Sequence, residues 1–349
     1  MKKKILLTFL LTILGTGSVA ALFISSENIV RYHNNFIRRF PPHVAEPSGS
    51  LNLGFNSYYF AGRADGKIYL GNLTAPLQVL AIDTAMAAKN SFQIELKEKD
   101  LPFDTPQLKV LGKHFFMYEG AVPYIFSGKV ANWKGSLRIK DGFYFSQLAP
   151  IDSSHVAVRY IDKSTGQNLL GVIDLDRKSS IKGYGLLQKQ FDGIFDTDGI
   201  LHVTDSKIVY NYRYRNGYVL AANSLKLVRR GKTIDTVETV VMKLDTVKSR
   251  GYITYAAPPH VVNRVSAVSG KYLFVNSTMP GNNEHLTIWK TASIIDVYNL
   301  DDNSYAGSFP LHFKDGKAMR GFIVYGNHVF LLNDNQLIRY MLRDFASER

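Results

Sequence analysis

Asp198-Gly199-Ile200-Leu201-His202-Val203-Thr204-Asp205-Ser206-Lys207-Ile208-Val209-Tyr210 opens on an Asp-Gly turn, runs through a short apolar stretch, breaks on polar residues and enters a second apolar stretch. Each run is too short for a helix and is built from strand-favouring residues, so the segment reads as a hairpin. The same unit recurs along the chain. Its first strands start at Gly66 (Lys67-Ile68-Tyr69-Leu70), Gly112 (His114-Phe115-Phe116-Met117), Ser154 (His155-Val156-Ala157-Val158), Gly199, Gly270 (Tyr272-Leu273-Phe274-Val275) and Gly326 (His328-Val329-Phe330-Leu331). Second strands follow at 78–83, 122–126, 169–174, 207–212, 294–300 and 337–342.

The starts are separated by 46, 42, 45, 71 and 56 residues. The two long intervals coincide with extra sequence near 233–259 and 279–292. A unit of roughly 40–50 residues that supplies four strands is the signature of a propeller blade. The expectation is an all-β chain, a six-bladed β-propeller over residues 50–345, preceded by an N-terminal signal peptide or membrane anchor at 1–24 and a linker at 25–49. The competing architecture is an irregular pair of β-sandwiches whose hairpins fall at similar spacing. A propeller must close its circle, and little chain remains after Leu342. A segment near the N-terminus, residues 36–40 or 51–55, is therefore expected to complete the last blade.

Residues 198–210 resemble the NHL and TolB-like exported six-bladed propellers common in bacterial envelopes. The resemblance is at the level of the repeat and covers about 50–345. Only the fourth unit keeps an Asp directly after its strand; the others carry Asn72, Glu119, Arg159, Asn276 or Asn333-Asp334 there. It implies a fold and no particular activity, because propellers host enzymes, receptors and scaffolds alike.

The N-terminus sets the destination. Lys2-Lys3-Lys4 precede twenty uncharged residues, Ile5 to Ile24, then Ser25, Ser26 and Glu27. At about 1.5 Å per residue a helix of that length spans a hydrocarbon core of roughly 30 Å. Small residues at 15–20 also suit cleavage after Ala20 or Ala21, so cleaved signal and retained anchor both stay open. Either puts the body outside the cytoplasm, periplasmic or anchored in the inner membrane facing the periplasm. The chain has no cysteine, which excludes disulfides, thiol catalysis, cysteine-ligated metals and a lipoprotein anchor.

With 46% apolar and 12% aromatic residues among 349, the chain is no disordered segment. The net charge of +13 is not a nucleic-acid signature. Residues 1–39 hold six Lys/Arg against Glu27, a net of +5, and the remaining +8 is spread over 310 residues without a run. Nucleic acid is not an expected partner, and membrane contact is expected only through residues 5–24 if they are retained.

No H-E-x-x-H, metal-spaced histidine pair or G-x-S-x-G occurs, so no catalytic residue is assigned. His114, His155, His202 and His328 fall at similar positions of their units and are expected to bond backbone at turns. Asp196-Thr197-Asp198-Gly199 starts like a calcium loop but lacks the later acidic ligand, which leaves an Asp-Gly turn. The breaks after the first strands are expected on the ring end that carries the connections between blades. They contribute Asn72, Glu119, Arg159, Asp205, Asn276 and Asp334, a polar rim for a ligand. No cofactor is expected, although this rim offers oxygen ligands to calcium or another divalent cation. It is similar to the sites of lactonase-type propellers. Tyr212 and Tyr214, alternating with Arg213 and Arg215, and Trp289 in the second insertion are candidates for partner contact. The functional expectation is an exported, non-catalytic propeller that binds an envelope protein, a peptide or a glycan. The alternative is a metal-dependent, lactonase-like hydrolase with a cation at the rim.

Overall fold

The computed structural model describes residues 2–30, 35–98, 103–142, 144–204, 207–247, 252–282, 284–313 and 316–345. Helix α1 (Lys2–Val30) contains the apolar stretch Lys4–Phe23, long and apolar enough to cross a membrane. None of that stretch is buried against the rest of the chain. Among the described residues, everything after it is strand, turn, irregular connection and one short helix.

Strand β1 (Ala45–Asn52) leads into β2 (Tyr58–Ala64), β3 (Lys67–Asn72), β4 (Gln78–Asp83) and β5 (Lys89–Gln93), which pair antiparallel in that order from β2 onward. After β6 (Glu95–Leu96) come β7 (Gln107–Leu111), β8 (His114–Glu119), β9 (Tyr124–Lys129) and β10 (Lys134–Ile139), again a consecutive meander. These two meanders join through a short parallel contact between β2 and β7, with β6 on the edge of β10. Two further four-stranded sheets follow. One is β11 (Gln147–Pro150), β12 (His155–Ile161), β13 (Asn168–Asp174) and β14 (Ser179–Gly183); the other is β15 (Gly199–Val203), β16 (Lys207–Tyr212), β17 (Gly217–Ala222) and β18 (Leu227–Lys232).

The first insertion holds a hairpin, β19 (Leu244–Val247) with β20 (Tyr252–Tyr255). The next sheet is β21 (Asn263–Ser269), β22 (Tyr272–Ser277), β23 (Ala292–Asn299) and β24 (Ser304–His312), with α2 (Leu286–Thr291) between β22 and β23. The last sheet is β25 (Gly321–Tyr325), β26 (His328–Asn333) and β27 (Gln336–Leu342), and its fourth strand is β1 from the other end of the chain. The segment 36–40 is not a strand, and 51–55 overlaps β1 only at Leu51 and Asn52.

Strands β2, β7, β11, β15, β21 and β25 each touch the next and β25 touches β2, so they surround one central channel. Apolar side chains fill the space between neighbouring sheets. Ile68, Leu70 and Ile82 meet Phe330 and Leu332 across the closure, while Phe274 and Ile295 meet Phe322 and Val324 one step before it. Strands second and third from the channel are covered on both faces, which is why β3, β8, β22 and β26 are buried at every position after the first.

In five units the first apolar strand of the sequence repeat is the second strand from the channel, but in the fourth unit residues 200–203 form β15, which lies on the channel itself. The long turn-rich approach at 184–198 imitates a blade start. Asp205 lies outside the described residues.

Candidate functional site

On the end of the ring that carries the connections between sheets, a cleft of about 580 Å³ opens between the sheets of β7–β10, β11–β14 and β15–β18. Glu119 and Gly120 come from the end of β8, Tyr144 to Ser146 from the approach to β11, and Arg159 and Ile161 from β12. Ile194, Phe195 and Asp198 come from the approach to β15, and Tyr255 reaches in from the β19–β20 hairpin. The site is thus assembled from separate segments, because loops at one end of a ring converge whatever their distance along the chain.

Arg159 is its electrostatic centre. The guanidinium pairs with Asp198, and Nε donates to Ser146 Oγ (2.8 Å) while Nη1 donates to Tyr210 Oη (3.0 Å). Arg213 Nε donates to the second oxygen of Asp198 at 3.0 Å. Burial alone favours loss of the Arg159 proton, but Tyr210 and Asp198 outweigh it and hold the group charged. Asp198 therefore bridges two guanidinium groups, and the bridge fixes the mouth of the cleft.

The walls are aromatic. Phe195 meets Tyr255 edge to face at 4.9 Å between ring centres, and the hydroxyls of Tyr214 and Tyr255 lie 3.1 Å apart. Burial, reinforced by Tyr214, pushes the Tyr255 phenol above its ordinary range; burial does the same to Tyr118, whose hydroxyl donates to Gln107 Oε1 at 3.2 Å. Both phenols stay protonated, so neither serves as a base. Tyr144 stands 60% exposed on the rim.

The candidates drawn from the sequence part ways here. Glu119 and Arg159 share the cleft, whereas Asn72, Asn276 and Asp334 lie outside it. Each has a local task. Glu119 Oε2 accepts the amides of Asp104 (2.8 Å) and Thr105 (3.0 Å), shaping the entry into β7. Asn72 Oδ1 accepts from the Thr74 amide and hydroxyl, both at 2.9 Å. Asn276 donates to Ile294 O at 3.1 Å, and Asp334 pairs with Lys317 at 2.5 Å, which holds its carboxyl below the usual range. Among the described residues no three His, Asp or Glu side chains converge in metal-binding geometry.

Tyr212 and Tyr214 are not surface platforms. Both are buried: Tyr212 lies beneath Arg215 (3.8 Å) and accepts the Gln188 amide, and Tyr214 packs on Tyr255. Trp289 is half-buried, donates to Glu284 Oε2 (2.9 Å) and stacks under Arg38. The histidines also diverge from expectation. His155 bonds Asp152 (3.0 Å), and His202 lies in the channel with Nε2 2.8 Å from Ser266 Oγ. Asp196 is buried and accepts the amides of Phe191 and Gly193, so the calcium-like stretch folds on itself. Sequence reading passed over Tyr255, Phe195 and Asp198; only Asp198 stood in the decisive stretch, where it read as a turn residue.

No family model and no curated protein matches the chain. Among solved structures it is similar to a member of the DUF4221 family from Bacteroides vulgatus, at 13% identity over 86% of this chain and 97% of that one, with a TM-score of 0.51. The fold is a β-propeller. A catalytically inactive virginiamycin B lyase from Staphylococcus aureus with quinupristin aligns at 11% identity over 84% of the propeller chain and 99% of its own, TM-score 0.49. A nidogen/laminin complex aligns at 10% over 76% and 85%, TM-score 0.45. At such identities the likeness speaks to fold alone, and below a TM-score of 0.5 it carries no argument.

Proposed function

We propose that the chain is an exported six-bladed β-propeller that binds a peptide or glycan in the cleft, without chemistry of its own. Six strands line the channel and β1 joins the sheet of β25–β27, which supports six blades. The apolar N-terminal helix supports export, on the periplasmic side of a bacterial inner membrane.

The observation that carries the binding reading is the cleft wall. Phe195, Tyr255, Phe145 and the exposed Tyr144 present ring edges and faces beside Arg159, Asn168 and Gln107. An apolar surface with a few fixed polar groups suits a sugar ring or a peptide side chain. The acid and base groups there are already engaged, Glu119 with backbone amides and Asp198 with two arginines.

Peptide and glycan arrays probed with the full chain should return binders whose affinity falls roughly tenfold in Tyr144→Ala, the loss of one aromatic contact. That residue is mostly solvated, so the fold should survive the change. An ester or lactone turnover abolished by Glu119→Gln would overturn the non-catalytic reading.

A further inference from the structure

We propose that the ligand of this propeller carries an acidic group, a carboxylate or a phosphate, which passes from the cleft into the central channel and is held there by Lys109 and the His202 imidazole. The inference rests on the cleft-binding reading and names the chemistry of its ligand. The channel has a volume of about 720 Å³ and shares Gln107, Tyr118 and Ser146 with the cleft, so these three side chains form the wall between the two spaces. Gln107 and Lys109 lie two residues apart on β7, on the same face of the strand. That spacing puts Lys109 about 7 Å below the shared wall.

The channel is electrostatically one-sided. Among its described lining residues Arg63 and Lys109 are charged, and none is Asp or Glu. Arg63 donates to Val268 O at 3.1 Å and adds its positive charge to the space. Lys109 has no hydrogen-bond or ion-pair partner among the described residues, and burial pulls its pKa below the ordinary value. His202 offers a second contact. Its Nε2 is engaged with Ser266, and Nδ1 has no partner among the described residues.

Burial, with Lys109 and Arg63 beside it, pulls the His202 pKa down to about 3, so the ring is neutral and an anion meets a polar neutral group next to an ammonium. A half-buried ammonium without a counter-charge costs stability. A bound oxyanion removes that cost and forms a charge-assisted hydrogen bond. Binding sites are where such a local loss persists.

The test uses the full chain in detergent, melted and titrated calorimetrically with sodium phosphate and with sodium succinate, against sodium chloride at matched ionic strength. Phosphate, succinate or both should raise the melting temperature of the wild type above the chloride control and bind saturably. Lys109→Met should weaken that binding roughly tenfold or more. Without anion the same variant should melt at or above the wild type, since it removes an unpaired ammonium. Lys109→Arg, which keeps the charge, should retain binding. Anion binding through Lys109 without any peptide or glycan binder would keep the channel site and overturn the cleft reading alone. The proposal itself fails if both anions leave the wild type at the chloride value, or if Lys109→Met binds them as well as wild type does.

Discussion

Asp235, 3% exposed in the first insertion, shows how a single side chain answers to competing forces. Burial is the largest effect and pushes its carboxyl up to about 6; bonds from Thr233 Oγ1 (2.6 Å) and the Val237 amide (3.0 Å) pull it partly back, while the Asp296 carboxylate adds to the rise. The folded chain therefore keeps a proton here that the unfolded chain releases near 3.8. This site's contribution to stability is complete below about pH 4 and is lost as pH rises through about 6, a change of order 2–3 kcal/mol. His202, His260 and His328, all pulled down by burial, pull the whole-protein profile the other way, because each is neutral in the fold. The comparison to make is thus between variants. From pH 4 to pH 7 the stability of Asp235→Asn relative to wild type, by urea unfolding, should rise by about 2–3 kcal/mol. A difference that does not change with pH would sink this assignment. Next to it, Arg38 shows the paired case. Its Nε and Nη2 grip Asp296 (2.7 and 2.9 Å), Nη1 reaches Glu284 and Met279 O, and Phe36 and Trp289 flank the plane. With Nη2 also donating to Ser277 Oγ at 2.8 Å all its donors are used, so a residue that reads as one more positive charge behind the apolar helix is a buried anchor of the linker.

Among elements, legibility followed burial. Strands such as β3, β8 and β26 are covered on both faces and spell out continuous apolar runs, whereas the outermost strands β5 and β14 are mostly exposed and polar. The sequence repeat was therefore found through its middle strands. β15 lines the channel with one face, but its Ile200, Leu201 and Val203 make a short apolar run of the kind the second strands carry, and this let it pass for one of them. Their spacing also constrains sequence. Gly62 on β2 faces Val110 on β7, and a Cβ there would sit 2.1 Å from the Val110 carbonyl oxygen. Backbone cannot swing aside as a side chain can. Gly62→Ala should force β2 from β7 and cost about 1–3 kcal/mol, the usual range for overpacking. Unfolding in urea measures it, and a stability equal to wild type would show that the two strands can part freely.

Over the whole molecule the decisive contact is between chain ends. β1 pairs with β27 from Ala45↔Leu342 to Asn52↔Gln336, and the fourth strand of the last sheet comes from the segment behind the apolar N-terminal helix. Closing a ring this way removes a sheet edge and joins residues almost 300 positions apart. Comparing residues 35–349 with 53–349, the shorter chain should lose on the order of 5 kcal/mol, or about 10 °C in melting temperature. It should also be cut by trypsin in β25–β27 first. Equal melting and an unchanged digestion pattern would mean that β1 decorates the ring without holding it. The same connection carries a spatial consequence. Phe36 packs on Val262 and Met279 at the edge of the β21–β24 sheet, so the propeller begins within a few residues of the apolar helix.

The sequence by itself determined the all-β class, the repeated hairpin, the apolar N-terminal segment and the exclusion of cysteine chemistry. These depend on local pattern: alternation, turn residues and an uncharged run are set by neighbours within about ten positions. It also put Glu119 and Arg159 on one polar rim, together with Asn72, Asn276 and Asp334, which lie outside the cleft. Only the tertiary structure decided that Asp198, Phe195 and Tyr255 stand beside Glu119 and Arg159, that Tyr212 and Tyr214 are covered, and that Lys109 and His202 share a channel without a described carboxylate. The reason is physical. Closing the circle brings loops from different repeats to one end and innermost strands to one axis, and neither neighbourhood is written in the spacing of residues along the chain.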